Sequence, residues 1–130
     1  MAIFTHVCVG TNDLDKANKF YTAALGAIGI NNLGAFGPTA TLYGAQGPEF
    51  IVLKPGNGLP STYANGGTIG FACSSPEQVQ AWHAAGLANG GVTIEDPPGV
   101  REGAAGKLYL AYLRDPDGNK ICALHRIPAA

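Results

Sequence analysis

Two kinds of apolar pattern alternate along the chain, and each predicts a different element. Short apolar runs bounded by glycine, proline and asparagine predict β-strands. These runs lie at 3–9, 28–30, 39–43, 50–53, 68–73, 92–94, 108–113 and 121–124. Two longer stretches space their apolar residues three and four positions apart, which is the period of an amphipathic helix. The pattern therefore predicts a strand-rich α+β protein with two helices.

Capping residues mark the ends of both predicted helices. The first helix follows Asp13, a residue type that caps helix N-termini, and Gly26 and Gly29 end it. Its apolar stripe is Leu14, Ala17, Phe20, Tyr21, Ala24 and Leu25. The second helix follows Ser75, with proline at its first position and Gln78 where a capping box needs it. Its inner stripe is Val79, Trp82, Gly86 and Leu87.

The second half of the chain repeats the landmarks of the first half. At a constant offset of 62 positions, the matched pairs are His6 with Thr68, Asp13 with Ser75, Phe20 with Trp82 and Leu25 with Leu87. Later in each half, Gly47 matches Gly118 and Ile51 matches Cys122. The caps match together with the apolar positions, so the two halves are predicted to share one local fold.

This repetition predicts the architecture. The repeats cover 1–54 and 67–127, and a linker at 55–66, rich in proline and glycine, joins them. Each repeat would form a βαβββ unit, and curling the two sheets together leaves a cleft between them. We therefore expect a single domain over 1–130 with a curved mixed sheet around a cleft. The alternative is an unrelated α+β sandwich, which the matched landmarks disfavour.

The sequence Asp-Pro-Asp-Gly-Asn at 115–119 predicts a tight turn. Proline presets φ at the second turn position, and glycine accepts a positive φ further on. Apolar runs flank the turn on both sides, so it would close a β-hairpin. In the strand that follows, side-chain alternation would put Lys120, Cys122 and Leu124 on one face and Ile121, Ala123 and His125 on the other.

Composition narrows the classes of function. A formal net charge of −1 provides no basic surface for nucleic acid or an anionic membrane. Hydrophobic residues make up 46% of the chain and charged residues 13%, which favours a filled core over disorder. The three scattered cysteines form no disulfide framework, and neither a signal peptide nor a bilayer-spanning run is evident. We therefore expect a soluble protein of the reducing cytoplasm, without a nucleic-acid or membrane partner.

Five motifs stand out once the repeats are in register. They are His6-Val7, Asp13-Leu14-Asp15-Lys16-Ala17, Phe20-Tyr21, Gly67-Thr68-Ile69-Gly70-Phe71 and Asp115-Pro116-Asp117-Gly118-Asn119-Lys120-Ile121. Together they resemble the vicinal oxygen chelate superfamily, which includes glyoxalase I, extradiol dioxygenases, and fosfomycin- and bleomycin-resistance proteins. The resemblance covers essentially the whole chain and implies the two-repeat fold. Because this fold supports many reactions, the resemblance does not fix the function.

The resemblance also implies a metal site in the cleft, built from the first and last strand of each repeat. Its four positions in this chain are His6, Ile51, Thr68 and Cys122. The superfamily usually has histidine or glutamine at the first, glutamate or no ligand at the second, histidine at the third and glutamate at the fourth. His6 fits this pattern, Ile51 fits only dioxygenase-like members, and Thr68 and Cys122 depart from it. We therefore expect no tightly bound cofactor, although the resemblance allows zinc, nickel, iron or manganese.

His6 and Cys122 are candidates for catalysis, and each has a second interpretation. His6 would act as a surviving metal ligand or a general base, or it would only hydrogen-bond in a partly polar cleft. Cys122, like Cys8 on the same predicted face, would be a reactive or metal-binding thiol, or a small buried hydrophobic residue.

Ligand contacts are predicted at Glu49, Ile51, Arg101 and Tyr109. Glu49 shares a strand face with Ile51 and would lie about 6–7 Å from it, as a displaced carboxylate. Arg101 lies in a predicted loop and would bind a carboxylate or phosphate, or form an exposed pair with the glutamate that follows it. Tyr109 would line the cleft or pack against the helices.

Three functions follow from these candidates. The first is a superfamily member that binds a small molecule in the cleft without the full metal site. The second is a metal-dependent enzyme, such as a glyoxalase-like lyase or a dioxygenase, that acts on a substrate with vicinal oxygens. The third is a metal-free enzyme with His6 as base or Cys122 as nucleophile. By resemblance, the chain would form a homodimer, with its repeats paired within one chain or exchanged between chains.

Overall fold

The computed structural model describes residues 3–104 and 106–129, which form eight strands and two helices. The first half contains β1 (Val7–Gly10), α1 (Leu14–Gly26), β2 (Asn31–Ala35), β3 (Ala40–Gly44) and β4 (Phe50–Leu53). The second half contains β5 (Ile69–Ala72), α2 (Pro76–Ala88), β6 (Val92–Gly103), β7 (Gly106–Arg114) and β8 (Lys120–Arg126). The order β-α-β-β-β therefore occurs twice.

Each half forms its own four-stranded mixed sheet. The strand order is β1-β4-β3-β2 in the first, called sheet A, and β5-β8-β7-β6 in the second, called sheet B. In both sheets the first strand runs parallel to the last strand, and the remaining neighbours are antiparallel. Within the described residues, β1 and β5 each pair with one strand only, so each is an edge strand.

The strand register confirms the predicted repeat. Val7 pairs with Phe50 in sheet A, and the matched residues Ile69 and Ile121 pair in the same way in sheet B. The helices coincide as well, because α2 begins and ends 62 positions after α1. Two βαβββ units are therefore built on one plan.

Both helices begin at the predicted caps. The side chain of Asp13 accepts a hydrogen bond from the backbone N–H of Lys16 at 3.1 Å. The hydroxyl of Ser75 accepts one from the N–H of Gln78 at 3.2 Å, and the Gln78 side chain accepts one from the N–H of Ser74 at 2.8 Å. The bonds to Asp13 and Ser75 satisfy amides that the first helical turn leaves without a partner, and the bond from Ser74 ties the residue before the cap to α2.

Phe20 and Trp82 occupy equivalent places in one shared core. Both side chains are fully buried, Phe20 on α1 and Trp82 on α2. The first helix packs on sheet A, the second on sheet B, and the two helices pack on each other. The two units therefore do not have separate cores.

The buried stripe of α2 is narrower than predicted. Leu87 is 42% exposed, so its predicted place in the inner stripe is wrong, although the matched Leu25 is fully buried. Gly86 holds the α2 backbone so close to β7 that a Cβ there would lie 2.4 Å from the Leu113 side chain. This contact centres the stripe on position 86, and the next residue is rotated about 100° away from it.

The sixth strand is longer than predicted. The sequence indicates a strand at 92–94 followed by a glycine-rich loop, but β6 continues along β7 after a register shift between Ile94 and Gly99. The shift contains two prolines, which lack the N–H that a regular ladder would need. Arg101 therefore lies in a strand and not in a loop.

A buried carboxylate lies at the centre of the 115–119 turn. Asp115 is 3% exposed, and its Oδ1 accepts hydrogen bonds from the backbone N–H groups of Asp117 and Asn119, both at 2.9 Å. Its Oδ2 accepts from the Asn119 amide at 2.8 Å and from the Tyr21 hydroxyl at 2.6 Å. Burial raises the pKa of Asp115, while these hydrogen bonds oppose the rise.

The same turn joins the two halves of the molecule. The carboxylate of Asp117 accepts hydrogen bonds from the Thr11 hydroxyl at 2.6 Å and from the N–H of Asn12 at 2.8 Å. The Asn119 amide donates to the carbonyl of Gly10 at 2.9 Å. The predicted hairpin turn is therefore also a polar contact between the second unit and the first.

Gly118 is expected to be critical for this turn. Its φ is +89°, in the left-handed region that strains any residue with a Cβ. Gly118→Val should therefore lower the free energy of unfolding by about 1–3 kcal/mol, measured by urea denaturation. Gly56→Val is a matched control, because Gly56 lacks a positive φ and an added Cβ would meet nothing within 4 Å. Equal losses in the two variants would contradict the proposed role of the turn.

Candidate functional site

A groove of about 720 Å³ lies between the free edge of β5 and the residues that lead into β1. Its walls are mainly apolar and include Ile3, Phe4, Ile28, Ile30 and Ile69. Its polar side chains are Thr5, His6, Glu49 and Thr68. A groove of this size and character suits a small organic molecule. Two of the four predicted metal positions, His6 and Thr68, therefore line one groove.

His6 is accessible to a ligand in this groove. It lies one residue before β1 and is exposed. Its Nδ1 is 2.9 Å from the hydroxyl of Thr5, which is also exposed. The imidazole can therefore donate a hydrogen bond to a bound molecule or accept one from it.

Glu49 lines the same groove, but its carboxylate accepts hydrogen bonds from the backbone of the turn that precedes it. Its Oε1 accepts hydrogen bonds from the backbone N–H groups of Ala45 at 3.0 Å and Gln46 at 3.2 Å. These two bonds, first from Gln46 and then from Ala45, lower the pKa of Glu49. The predicted displaced carboxylate is therefore present at the groove as a charged group whose Oε1 already has two donors.

Ile51 lies on the face of sheet A that the helices leave uncovered. Its register partner is Cys8 on β1, which is exposed on the same face. The matched face of sheet B carries Gly70 and Cys122, which are also register partners. We call these two surfaces the open faces. Ile51 and Cys122 lie on them and not among the residues that line the groove.

Cys122 is buried although it lies on an open face. It is 5% exposed, and β5 packs beside it, since a Cβ on Gly70 would lie 3.1 Å from its Sγ. Burial raises the pKa of the Cys122 thiol to about 11. The thiol is therefore protonated at neutral pH, and the interpretation as a small buried hydrophobic residue fits its surroundings better than that of a reactive nucleophile.

Alkylation should distinguish Cys122 from Cys8. A pKa of about 11 leaves roughly a hundredfold less thiolate than an ordinary cysteine has at neutral pH. In native protein treated with iodoacetamide, Cys8 should be modified first and Cys122 should remain largely unmodified, as read by mass spectrometry of peptides. Both should react in urea. Equal rates in the native protein would contradict the buried, neutral thiol.

Arg101 and Tyr109 are not among the residues that line the groove. The Arg101 guanidinium donates to the carbonyls of Asp96 and Pro97, at 2.9 and 3.0 Å, and so stabilises the irregular part of its own strand. The Tyr109 hydroxyl accepts a hydrogen bond from the side chain of Gln80 on α2 at 2.7 Å. Tyr109 therefore packs on the helix side of sheet B, which is the second of its two predicted positions.

Comparison with known proteins identifies the family. The family model described as the Glyoxalase/Bleomycin resistance protein/Dioxygenase superfamily matches residues 3–123, a span that includes both βαβββ units. The chain belongs to the glyoxalase/bleomycin resistance protein/dioxygenase superfamily. This membership confirms the resemblance that the sequence motifs indicate.

Solved structures of this superfamily share the architecture. A glyoxalase/bleomycin resistance protein from Albidiferax ferrireducens T118 is 58% identical, with a TM-score of 0.91 over 96% of this chain and 100% of that chain. A glyoxalase-related enzyme from Fulvimarina pelagi is 16% identical, with a TM-score of 0.72 over 97% and 89% of the two chains. A lactoylglutathione lyase from Agrobacterium tumefaciens is 21% identical, with a TM-score of 0.64 over 95% and 92%. The last two comparisons show a common fold.

The donor set at the superfamily's metal positions does not fit a catalytic metal ion. The four positions hold an imidazole, an aliphatic side chain, a neutral hydroxyl and a buried protonated thiol, at His6, Ile51, Thr68 and Cys122 respectively. A catalytic centre commonly uses three good protein ligands. Within residues 3–104 and 106–129, no three His, Cys, Asp or Glu side chains are grouped so that they could hold a metal ion.

The sequence analysis missed a polar pocket next to the groove in this superfamily member. It is about 140 Å³ in volume and contains two basic side chains, Arg114 and Lys120. Thr68 lines both this pocket and the groove. The signal available in the sequence was the pair of basic residues that flank the 115–119 turn.

In the part of the chain that the structure describes, neither helix has the length and apolar character needed to cross a bilayer.

Proposed function

We propose that this superfamily member binds a small organic molecule in the groove beside β5 without the superfamily's full metal centre. The observation that carries the proposal is Cys122, a buried and neutral thiol at a position where the superfamily usually has glutamate. The groove supports it, because its volume and its apolar walls with a few polar side chains suit a small ligand. His6 and Thr68 would orient that ligand by hydrogen bonds.

A metal-dependent lyase or dioxygenase is the second candidate. It is favoured by one observation, which is that the imidazole of His6 and the carboxylate of Glu49 line the same groove. Such an enzyme would need a third donor, and Cys122 would have to lose its proton first. A metal-free enzyme that uses Cys122 as nucleophile is disfavoured by the same raised pKa.

A ligand screen with and without chelator separates these candidates. Small molecules that raise the melting temperature should do so equally in EDTA if binding is independent of metal. Elemental analysis of untagged protein should then find substoichiometric zinc, iron, nickel and manganese. Stoichiometric metal, together with ligand binding that chelation removes, would contradict the proposal and support the enzyme.

A designed variant provides a positive control for the metal assay. Thr68→His with Cys122→Glu introduces a histidine just before β5 and a carboxylate on the neighbouring β8. With His6, these residues would complete the two-histidine, one-carboxylate set that binds divalent transition metals. Zinc or manganese affinity should rise at least about tenfold over wild type in calorimetry. Tight stoichiometric binding by wild type would contradict the loss of the metal site.

We also propose a homodimer. In the described residues, β1 and β5 each have one edge without a neighbouring strand, and free edges of this kind readily pair with a second chain. Exposed apolar side chains next to β1 support the proposal, since Ile3 is 88% and Phe4 68% exposed. Light scattering after size exclusion should give twice the monomer mass. A monomer at micromolar concentration would contradict it.

A further inference from the structure

A small polar pocket lies between the 115–119 turn and the loop that leads into β5. Its lining consists of the loop residues 65–67 and the side chains of Tyr63, Thr68, Arg114 and Lys120. The pocket holds about 140 Å³, which is too small for a whole organic ligand but large enough for a carboxylate or phosphate group.

Strand pairing places the two basic residues of this pocket directly opposite each other. Arg114 at the end of β7 is the register partner of Lys120 at the start of β8. Side chains that face each other in this way have Cβ atoms about 4.5–5.5 Å apart, and like charges there are destabilising. The alternation that puts Cys122 on the open face of sheet B puts both residues on that face too. The arrangement is therefore stabilised by negative charge placed between or beside them.

One carboxylate already compensates part of this charge. Lys120 forms an ion pair with Glu95 of β6, and its ammonium group lies 4.7 Å from the centre of the Tyr112 ring. The carboxylates of Asp115 and Asp117, although close in sequence, are occupied by hydrogen bonds from Tyr21, Asn119, Thr11 and Asn12. The pair Arg114 and Lys120 therefore carries two positive charges against one paired negative charge.

The pocket also contains hydrogen-bond donors that an anion could use. The guanidinium of Arg114 lies 5.3 Å from the centre of the Tyr63 ring, and its Nη1 donates to the carbonyl of Gly118 at 2.7 Å. A guanidinium has five N–H donors in a fixed fork, so most of them are available to an anion. The Thr68 hydroxyl makes no hydrogen bond within the described residues and can donate to the same anion.

We infer that Arg114, Lys120 and Thr68 form a subsite for the anionic group of a ligand whose apolar part lies in the adjacent groove. The inference rests on the proposed small-molecule binding and assigns the ligand to a chemical class, an organic carboxylate or phosphate with an apolar body. Thr68 connects the two compartments, because it lines both the pocket and the groove. A planar carboxylate would accept two hydrogen bonds from the guanidinium and one from the ammonium group.

A pair of isosteric probes tests the subsite. Binding of 3-phenylpropionate, 3-phenylpropionamide and inorganic phosphate would be measured by calorimetry at low salt. The carboxylate should bind at least about tenfold more tightly than the amide, because only the carboxylate forms charge-assisted bonds. Raising the ionic strength should reduce this preference, since the Lys120 side chain is 27% exposed and its charge is screened by salt.

Two substitutions in the pocket and one beside it should change the preference in different directions. Arg114→Gln and Lys120→Gln should each remove most of it. Glu95→Gln should increase it, since Lys120 then loses its competing carboxylate. Arg126→Gln is the charge-matched control, because Arg126 is exposed and lies six residues along β8, about 20 Å away. Lys120→Gln and Glu95→Gln leave the hydrogen bond from Arg114 to Gly118 intact, so these two variants test the subsite even if the Arg114→Gln variant does not fold.

The outcomes separate this inference from the proposed function. Equal binding of carboxylate and amide by wild type would overturn the anion subsite while leaving ligand binding in the groove in place. A preference that survives both Lys120→Gln and Arg114→Gln, or that Arg126→Gln removes equally, would also overturn the subsite. Failure of all three probes to bind at millimolar concentration would overturn the subsite. The ligand screen with and without chelator would then test the proposed function by itself.

Discussion

Trp82→Ala is expected to lower the free energy of unfolding by about 3–5 kcal/mol. Trp82 is the largest of the fully buried side chains and lies on α2 in the core that both units share. Truncation removes its buried apolar surface and leaves a cavity between packed elements, which cannot collapse without moving the helix. The shift would be measured as the change in the midpoint of urea denaturation.

Trp82→Phe is the matched control for this experiment. The indole Nε1 of Trp82 is buried and has no hydrogen-bond partner within the described residues. An unpaired buried donor costs about 1–3 kcal/mol, so phenylalanine removes a penalty while keeping much of the ring volume. Trp82→Phe should therefore cost clearly less than Trp82→Ala. A loss below about 1 kcal/mol for the alanine variant would refute the shared core.

The sequence predicted the repeat because both halves carry the same local signals. Asp13 and Ser75 cap helices that start one residue later, and Phe20 and Trp82 mark their buried stripes. Caps and helical periodicity act within a few residues, so they can be recognised without knowledge of the tertiary fold. The offset of 62 then aligned β1 with β5, and matching the final turns, 71 positions apart, aligned β4 with β8. The register of β1 with β4 and of β5 with β8 agrees with both.

The second strand was misplaced and the sixth was predicted too short, because their sequences lack the usual pattern of a strand. The second strand, Asn31–Ala35, is exposed along its whole length, so it has no alternation of apolar and polar residues to detect. The sixth strand contains Pro97 and Pro98, which normally mark the end of a strand. Pairing with β7 maintains β6 across that irregularity, and such long-range pairing cannot be read from the local pattern.

The candidate site was predicted less completely, since it depends on faces and burial. The repeat placed Cys122 on the last strand beside the first strand of its unit, but its burial depends on how β5 packs against it at Gly70, which no single strand specifies. The helix-side position of Tyr109 needed the contact with Gln80 on α2. The basic pocket was missed because the rest of its lining, Tyr63 and residues 65–68, is brought beside Arg114 and Lys120 only by the tertiary fold.

The contact between Tyr21 and Asp115 joins residues 94 positions apart, and the sequence pattern contains no sign of it. Both groups are buried, and their hydrogen bond of 2.6 Å links α1 of the first unit to the turn of the second. A hydrogen bond to a charged group in such a place contributes about 1.5–3 kcal/mol. Tyr21→Phe is expected to lower the free energy of unfolding by that amount at neutral pH, with little loss of packing volume.

The cost of Tyr21→Phe should depend on pH in a defined direction. Burial raises the native pKa of Asp115 above its unfolded value of about 3.9, so the native state binds this proton more tightly than the unfolded chain does. The stability associated with a neutral Asp115 is therefore complete below the unfolded pKa and is lost as the pH rises through the raised native pKa. The hydrogen bond from the Tyr21 hydroxyl opposes the rise, so its removal raises the native pKa of Asp115 further. Stability is then lost over a wider range of pH. Tyr21→Phe should cost least in acid and most at neutral pH.

Tyr43→Phe is the matched control for this pH dependence. The Tyr43 hydroxyl is also in the core of the first unit, but it donates to the neutral amide oxygen of Asn18 at 2.8 Å. Its removal should cost about 0.5–1.5 kcal/mol, with no change between about pH 4 and pH 8. Urea denaturation of wild type and both variants across that range would give the two curves. If the Tyr21→Phe difference were as flat as that of Tyr43→Phe, the Asp115 carboxylate would not be charged and buried as described, and the turn would stabilise the two halves through its backbone bonds alone.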